Sequence, residues 1–134
     1  RTMTVRARDL GLAGSRFANA SGHTAKDHRT TAADIAKLSG MILQRFPDRY
    51  GMFAEIAFRF RGRTFANRNP LLGSYVGADG IKTGMTAAGG YGIAASAVRG
   101  GKRLILVVNG MPSEEARAAE ARRLLDWGFA RLSR

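Results

Sequence analysis

Apolar side chains recur at helical spacing at Ile35, Leu38, Ile42 and Phe46, which puts them on one side of an α-helix. Thr31, with Asp34 three residues on, is the N-cap and capping acid that open this helix, and Pro47 closes it. Residues 1–30 are rich in Gly, Ser, Thr and Arg, with a helix end near Leu10 stopped by Gly11 and then a loop. After Tyr50 the period changes. Ala57 to Ala66 places alternating aromatics around Arg61-Gly62, a hairpin pattern. A loop at 67–72 follows, and then strands over Asp79 to Thr83, Ile93 to Val98 and Arg103 to Val108. Arg99-Gly100-Gly101-Lys102 joins the last two strands as a tight antiparallel connection. Ser113 caps a final helix with Glu114 and Glu115 in its first turn, and Ala121, Leu125, Gly128, Phe129 and Leu132 form its apolar stripe. The short strand-to-strand links predict an α+β fold, an antiparallel sheet packed against helices.

Composition narrows the function classes. The chain has 134 residues and 45% hydrophobic content, enough for one domain or a piece of one and too apolar for wholesale disorder. Its 22 Lys+Arg against 10 Asp+Glu give a formal charge of +12, and 18 of the cations are arginine. Such a surplus attracts polyanions, whether nucleic acid, anionic lipid or an anionic polymer, or else reflects arginine-heavy coding. The absence of cysteine rules out disulfides, thiol catalysis and thiolate metal sites. Leu104 to Val108 is the longest uninterrupted apolar run, far too short to span a bilayer.

Several strings fail as chemistry. Lys82-Thr83 is preceded by Ile81, not by the glycine a phosphate loop needs. Gly90-Tyr91-Gly92-Ile93-Ala94-Ala95 matches a loose dinucleotide fingerprint, but a loop precedes it and Gly100-Gly101 follows too soon for a crossover helix. His23 and His28, five apart, share no helix face and lack a third ligand, so no metal or cofactor is expected. Phe58-Arg59-Phe60-Arg61 interleaves aromatics with cations, either as a stacking platform for single-stranded nucleic acid or as a hairpin with one buried face.

The remaining string is Asp79-Gly80-Ile81-Lys82-Thr83-Gly84, on a strand, followed by a small-residue loop, a hairpin and a closing helix. With Asn67-Arg68-Asn69-Pro70-Leu71-Leu72, Gly90-Tyr91, Ala95-Ser96-Ala97 and Leu124-Leu125-Asp126-Trp127-Gly128-Phe129, all in order, it resembles the C-terminal half of the D-alanyl-D-alanine carboxypeptidases. These are low-molecular-weight penicillin-binding proteins related to the serine β-lactamases. Phe17-Ala18-Asn19 and the helix start at Thr31 to Ala36 fit as well. The bland alternative for Lys82 is a solubilising charge on an edge strand.

The resemblance implies an exported, periplasmic hydrolase that trims the terminal D-Ala of peptidoglycan stem peptides and is inhibited by β-lactams. In that family a Ser-x-x-Lys serine forms an acyl-enzyme, its lysine acts as base, and a Ser-x-Asn box assists proton transfer. The Lys-Thr-Gly strand is the opposite, substrate-binding wall. By that match Lys82 supplies positive charge to the substrate carboxylate, while the Thr83 hydroxyl and Gly84 leave the acyl chain room along the strand. The backbone N–H of Met85, where relatives often carry histidine, donates to the oxyanion hole. Arg68 and Arg117 match family arginines near the site, although Arg117 fits a solvated helix face nearly as well.

Both catalytic boxes are missing from this sequence. No serine has lysine three residues later, and no asparagine has serine two residues before it. The 134 residues are therefore expected to be inactive alone. They read as the C-terminal portion of a single transpeptidase-like domain, with 1–50 the helical part and 51–134 the sheet and closing helix. The missing start methionine favours a fragment or one polypeptide of a nicked enzyme over a complete non-catalytic protein that binds nucleic acid or an anionic polymer. Lacking its N-terminal partner strand, the Arg103 to Val108 strand should leave an open edge that invites self-association or rescue by the missing half.

Overall fold

The computed structural model describes residues 1–133. Helix α1 spans Thr2–Asp9, and the long early helix α2 spans Ala32–Arg45. Thr31 caps α2 as the sequence predicts, its Oγ1 accepting the Asp34 N–H at 3.0 Å. The Asp34 carboxylate does not return to the cap. It is buried, and Oδ2 accepts the Ser15 hydroxyl at 2.6 Å, tying the N-terminal loop to the helix. Pro47 closes α2, which ends at Arg45, and does more than stop it. It opens a short helix, α3 (Pro47–Tyr50), at the first-turn position where its missing N–H costs nothing. Phe46, expected on the apolar face of α2, is the junction residue and is exposed.

A 3-10 turn at Gly51–Ala54 leads into a two-stranded hairpin, β1 (Ala57–Phe60) and β2 (Arg63–Ala66). The main sheet is antiparallel in the order β3-β4-β5, with β3 at Ala78–Thr86, β4 at Gly90–Arg99 and β5 at Lys102–Met111. Each strand extends past its sequence-predicted limits, because cross-strand hydrogen bonds propagate through Thr86, Gly90 and Met111 where local propensity is poor. The β4–β5 turn needs two left-handed residues, and Gly100 (φ 55°) and Gly101 (φ 73°) supply them.

The central strand β4 is buried from Ile93 through Ala97, as a strand covered on both sides must be. One cluster joins Ile93, Ala95, Ala97 and Val108 of the sheet to Leu71, Tyr75 and the α4 residues Ala121, Leu125 and Phe129. The other joins Tyr50, Ile81 and Ala94 to Ile35, Ile42 and Leu43 of α2. The closing helix α4 (Glu114–Leu132) is capped by Ser113, whose Oγ accepts the Ala116 N–H at 3.1 Å. Its buried stripe is Arg117, Ala121, Leu125 and Phe129. Leu132, expected in that stripe, is instead exposed, because the helix end overhangs the β4–β5 turn where the sheet stops. Strands β3 and β5 are both sheet edges among the described residues.

Candidate active-site wall

The Lys-Thr-Gly string lies in the middle of β3 and obeys strand alternation. Lys82 and Gly84 are exposed, whereas Thr83 between them is buried opposite Ile93. The Lys82 ammonium donates to the Thr83 carbonyl, holding a cation along the strand's free edge. Gly84 has open space where a Cβ would stand, with nothing within 4 Å. Its small size therefore meets no internal packing demand and leaves the exposed face of β3 clear. Met85 is 58% exposed and pairs with Tyr91 across the β3–β4 ladder.

Arg117 is where the structure departs most from the solvated-face alternative. It is only 3% exposed, and its guanidinium carbon lies 5.7 Å from the Tyr91 ring centroid. Its Nε is buried without a hydrogen-bond partner among the described residues. A buried cation that is not fully hydrogen-bonded is costly. Backbone hydrogen bonding at the helix start and the Ser113 hydroxyl, with a smaller contribution from the Arg117 charge, hold the Glu115 carboxyl below the usual glutamate range. The four-residue step from Ala121, Leu125 and Phe129 back to position 117 is the sequence signal that would have placed this arginine inside.

Arg68 is exposed on the loop before β3 and forms no ion pair among the described residues. Its neighbour Asn69 fixes that loop to the strand. The buried Asn69 amide donates to the Gly80 carbonyl at 2.8 Å and accepts the Leu71 N–H at 3.0 Å, and its backbone N–H donates to Asn67 Oδ1 at 2.9 Å. A second brace secures the start of β3. Arg103 on β5 reaches across β4 to pair with Asp79 at 2.7 Å, and it donates to the buried Ser96 hydroxyl at 2.6 Å. Tyr50 donates to the same Asp79 at 3.3 Å. Burial pushes the Tyr50 phenol above its ordinary value, against the opposing effects of Ser96 and Arg103. Asn69, Tyr50, Ser96 and Arg103 lie far apart in sequence, and no spacing rule links them.

The His28 side chain braces its own loop. His28 Nδ1 accepts the Ala18 N–H at 3.0 Å, and its ring meets Phe17 edge-on. No group of three metal-binding side chains occurs among the described residues. The Phe58-Arg59-Phe60-Arg61 segment does form the expected hairpin, yet neither face is buried: all eight strand residues are exposed.

An edge strand carrying Lys-Thr-Gly, backed by an antiparallel hairpin and a closing helix, defines a penicillin-binding, transpeptidase-like domain of the serine β-lactamase superfamily. The family described as D-alanyl-D-alanine carboxypeptidase matches residues 1–113, and the chain belongs to that family. It is 40% identical over 124 residues to D-alanyl-D-alanine carboxypeptidase DacC of Escherichia coli, covering 92% of this chain and 31% of DacC. It is 32% identical to DacF of Bacillus subtilis, covering 96% of this chain and 34% of DacF. Among solved structures, penicillin binding protein 5 from Haemophilus influenzae superposes with a TM-score of 0.92 at 35% identity, covering 96% of this chain and 38% of that one. Penicillin-Binding Protein D2 from Listeria monocytogenes, in its cefotaxime-bound form, gives 0.87 at 31% identity, covering 96% and 53%. The chain thus spans about a third of the length of the curated relatives it matches.

Proposed function

We propose that this chain is the substrate-binding wall of a serine D-alanyl-D-alanine carboxypeptidase that removes the terminal D-Ala from peptidoglycan stem peptides in an extracytoplasmic compartment. The observation that carries this reading is the incompletely bonded Arg117 guanidinium, buried beneath the Tyr91–Met85 end of the Lys-Thr-Gly strand. A carboxylate-ended ligand lying along β3 would be drawn by two cations, the exposed Lys82 and the buried Arg117. Gly84 leaves room for its acyl chain, and the Met85 N–H donates toward the oxygen on which negative charge develops. Arg68, on the loop clamped to the start of β3, adds a third cation to the approach. Thr83 contributes through its place in the strand, buried opposite Ile93.

The nucleophile and base belong to a part of the domain outside these 134 residues, since neither Ser-x-x-Lys nor Ser-x-Asn occurs in the sequence. The chain corresponds to the C-terminal portion of one domain, and β-lactams inhibit only the completed enzyme. Two measurements test the reading. Nuclear magnetic resonance of the chain with an acyl-D-Ala-D-Ala peptide should show shifts confined to Lys82–Met85, Tyr91 and the Arg117 side chain, weaker with the L,L isomer. Equal shifts with both isomers, or none, would refute the substrate assignment. Denaturing mass spectrometry after incubation with a β-lactam should find this chain unmodified. An adduct on it would mean that the chain carries a nucleophile of its own.

A further inference from the structure

The β1–β2 hairpin has no face packed on the core, and its apolar residues cluster. In the register Phe58↔Phe65 and Phe60↔Arg63, directly opposed residues share a face, as do residues two apart. Phe58, Phe60 and Phe65 therefore lie together, 55%, 55% and 43% exposed. Phe58 and Phe65 stack at 5.2 Å with 22° between their planes. Arg63 completes that face, and the guanidinium of Arg61, at the turn, lies 5.2 Å from the Phe60 centroid. Arg59 occupies the opposite face. From Ile56 to Ala78 the sequence holds four arginines, at 59, 61, 63 and 68, and no acidic residue.

We infer that this hairpin is a contact for an anionic lipid bilayer, the three phenylalanines entering the boundary between headgroups and acyl chains while Arg59, Arg61 and Arg63 pair with lipid phosphates. Phenylalanine has no polar handle, so three exposed rings on one face gain most from an apolar medium, and a rim of guanidiniums suits a surface dense in phosphate. The net charge of +12 adds long-range attraction to the same surface. Charge alone would also draw single-stranded nucleic acid, but base stacking needs open ring faces. Here Phe58 and Phe65 each take one face of the other, and the Arg61 guanidinium sits over one face of Phe60, so fewer open faces remain for bases. A bilayer requires only the free ring edges.

The test uses the 134-residue chain with Trp127→Phe and Phe60→Trp, so that a single tryptophan reports from the hairpin. Vesicles of phosphatidylglycerol and phosphatidylcholine are compared with phosphatidylcholine alone. Expected are co-flotation with the anionic vesicles only, a blue shift of the Trp emission on binding, and weaker binding as salt is raised. Replacing Arg59, Arg61 and Arg63 together by Gln should lower the partition constant roughly a hundredfold. Phe58→Ser with Phe65→Ser should abolish the blue shift. These positions are exposed, so circular dichroism should stay that of the parent; if the triple variant unfolds, the salt titration of the parent carries the charge dependence. Equal binding to neutral vesicles, or binding that ignores both hairpin variants, would overturn the inference. So would quenching of the Trp by a single-stranded oligonucleotide at concentrations below those at which lipid binds. A blue shift that follows protein concentration without lipid would assign the face to a second copy and overturn it too.

Discussion

Asn69 is a buried polar brace beside the Lys-Thr-Gly strand. Its amide pairs with the Gly80 carbonyl and the Leu71 N–H inside the protein, so replacement by Leu leaves both backbone groups buried and unpaired. Each such group costs about 1–3 kcal/mol. Asn69→Leu should therefore lower stability by about 3 kcal/mol, read from the urea midpoint, and should broaden the β3 resonances first. Tyr75 makes a prediction in pH. Burial, reinforced by its 2.7 Å hydrogen bond to Asp126, raises its phenol from 10.0 to about 12. The folded chain thus holds this proton more tightly than the unfolded chain does. That stabilisation is complete below pH 10 and is lost as pH climbs toward 12. Tyr75→Phe should cost about 1 kcal/mol at neutral pH and flatten the alkaline fall in melting temperature, leaving the smaller contribution of Tyr50 in the same direction.

At the scale of elements, caps and turns were the most legible features. Thr31, Ser113 and Gly100-Gly101 act through local geometry, and each does what its residue type predicts. Ser113→Ala should destabilise the chain by about 1 kcal/mol, checked by thermal melting, and should fray the first turn of α4, on which Arg117 sits. Apolar periodicity found α2, the hairpin, the three sheet strands and α4. It failed at element ends, where tertiary context decides. Phe46 and Leu132 continue their patterns past the point where the sheet has surface left to cover, and both are exposed. Arg117 is the converse case, a charged residue at a buried position of the stripe, with its guanidinium over the Tyr91 ring.

For the whole molecule, the exposed edge of β5 matters most. Among the described residues the strand Lys102–Met111 bonds only to β4, leaving a row of backbone donors and acceptors free. Such an edge pairs readily with another strand. Sedimentation at rising concentration should show self-association of the isolated chain. A chain that stays monomeric across the range would mean that the β5 edge is protected. Supplying the proposed nucleophile-bearing part of the domain should suppress the association if that part holds the pairing strand.

What the sequence determined by itself is the set of local instructions and the family. Periodicity, caps and glycine turns specify elements through interactions a few residues long, and the Lys-Thr-Gly string with its ordered neighbours carries the family resemblance. Only the tertiary structure decided which side chains meet. Asn69 with Gly80, Arg103 with Asp79 and Ser96, and Arg117 beneath Tyr91 are contacts created by strand order and helix docking. It also decided that the Phe/Arg hairpin keeps both faces in water. Burial depends on what the rest of the chain packs against a residue, and no local pattern of apolar and polar positions contains that information.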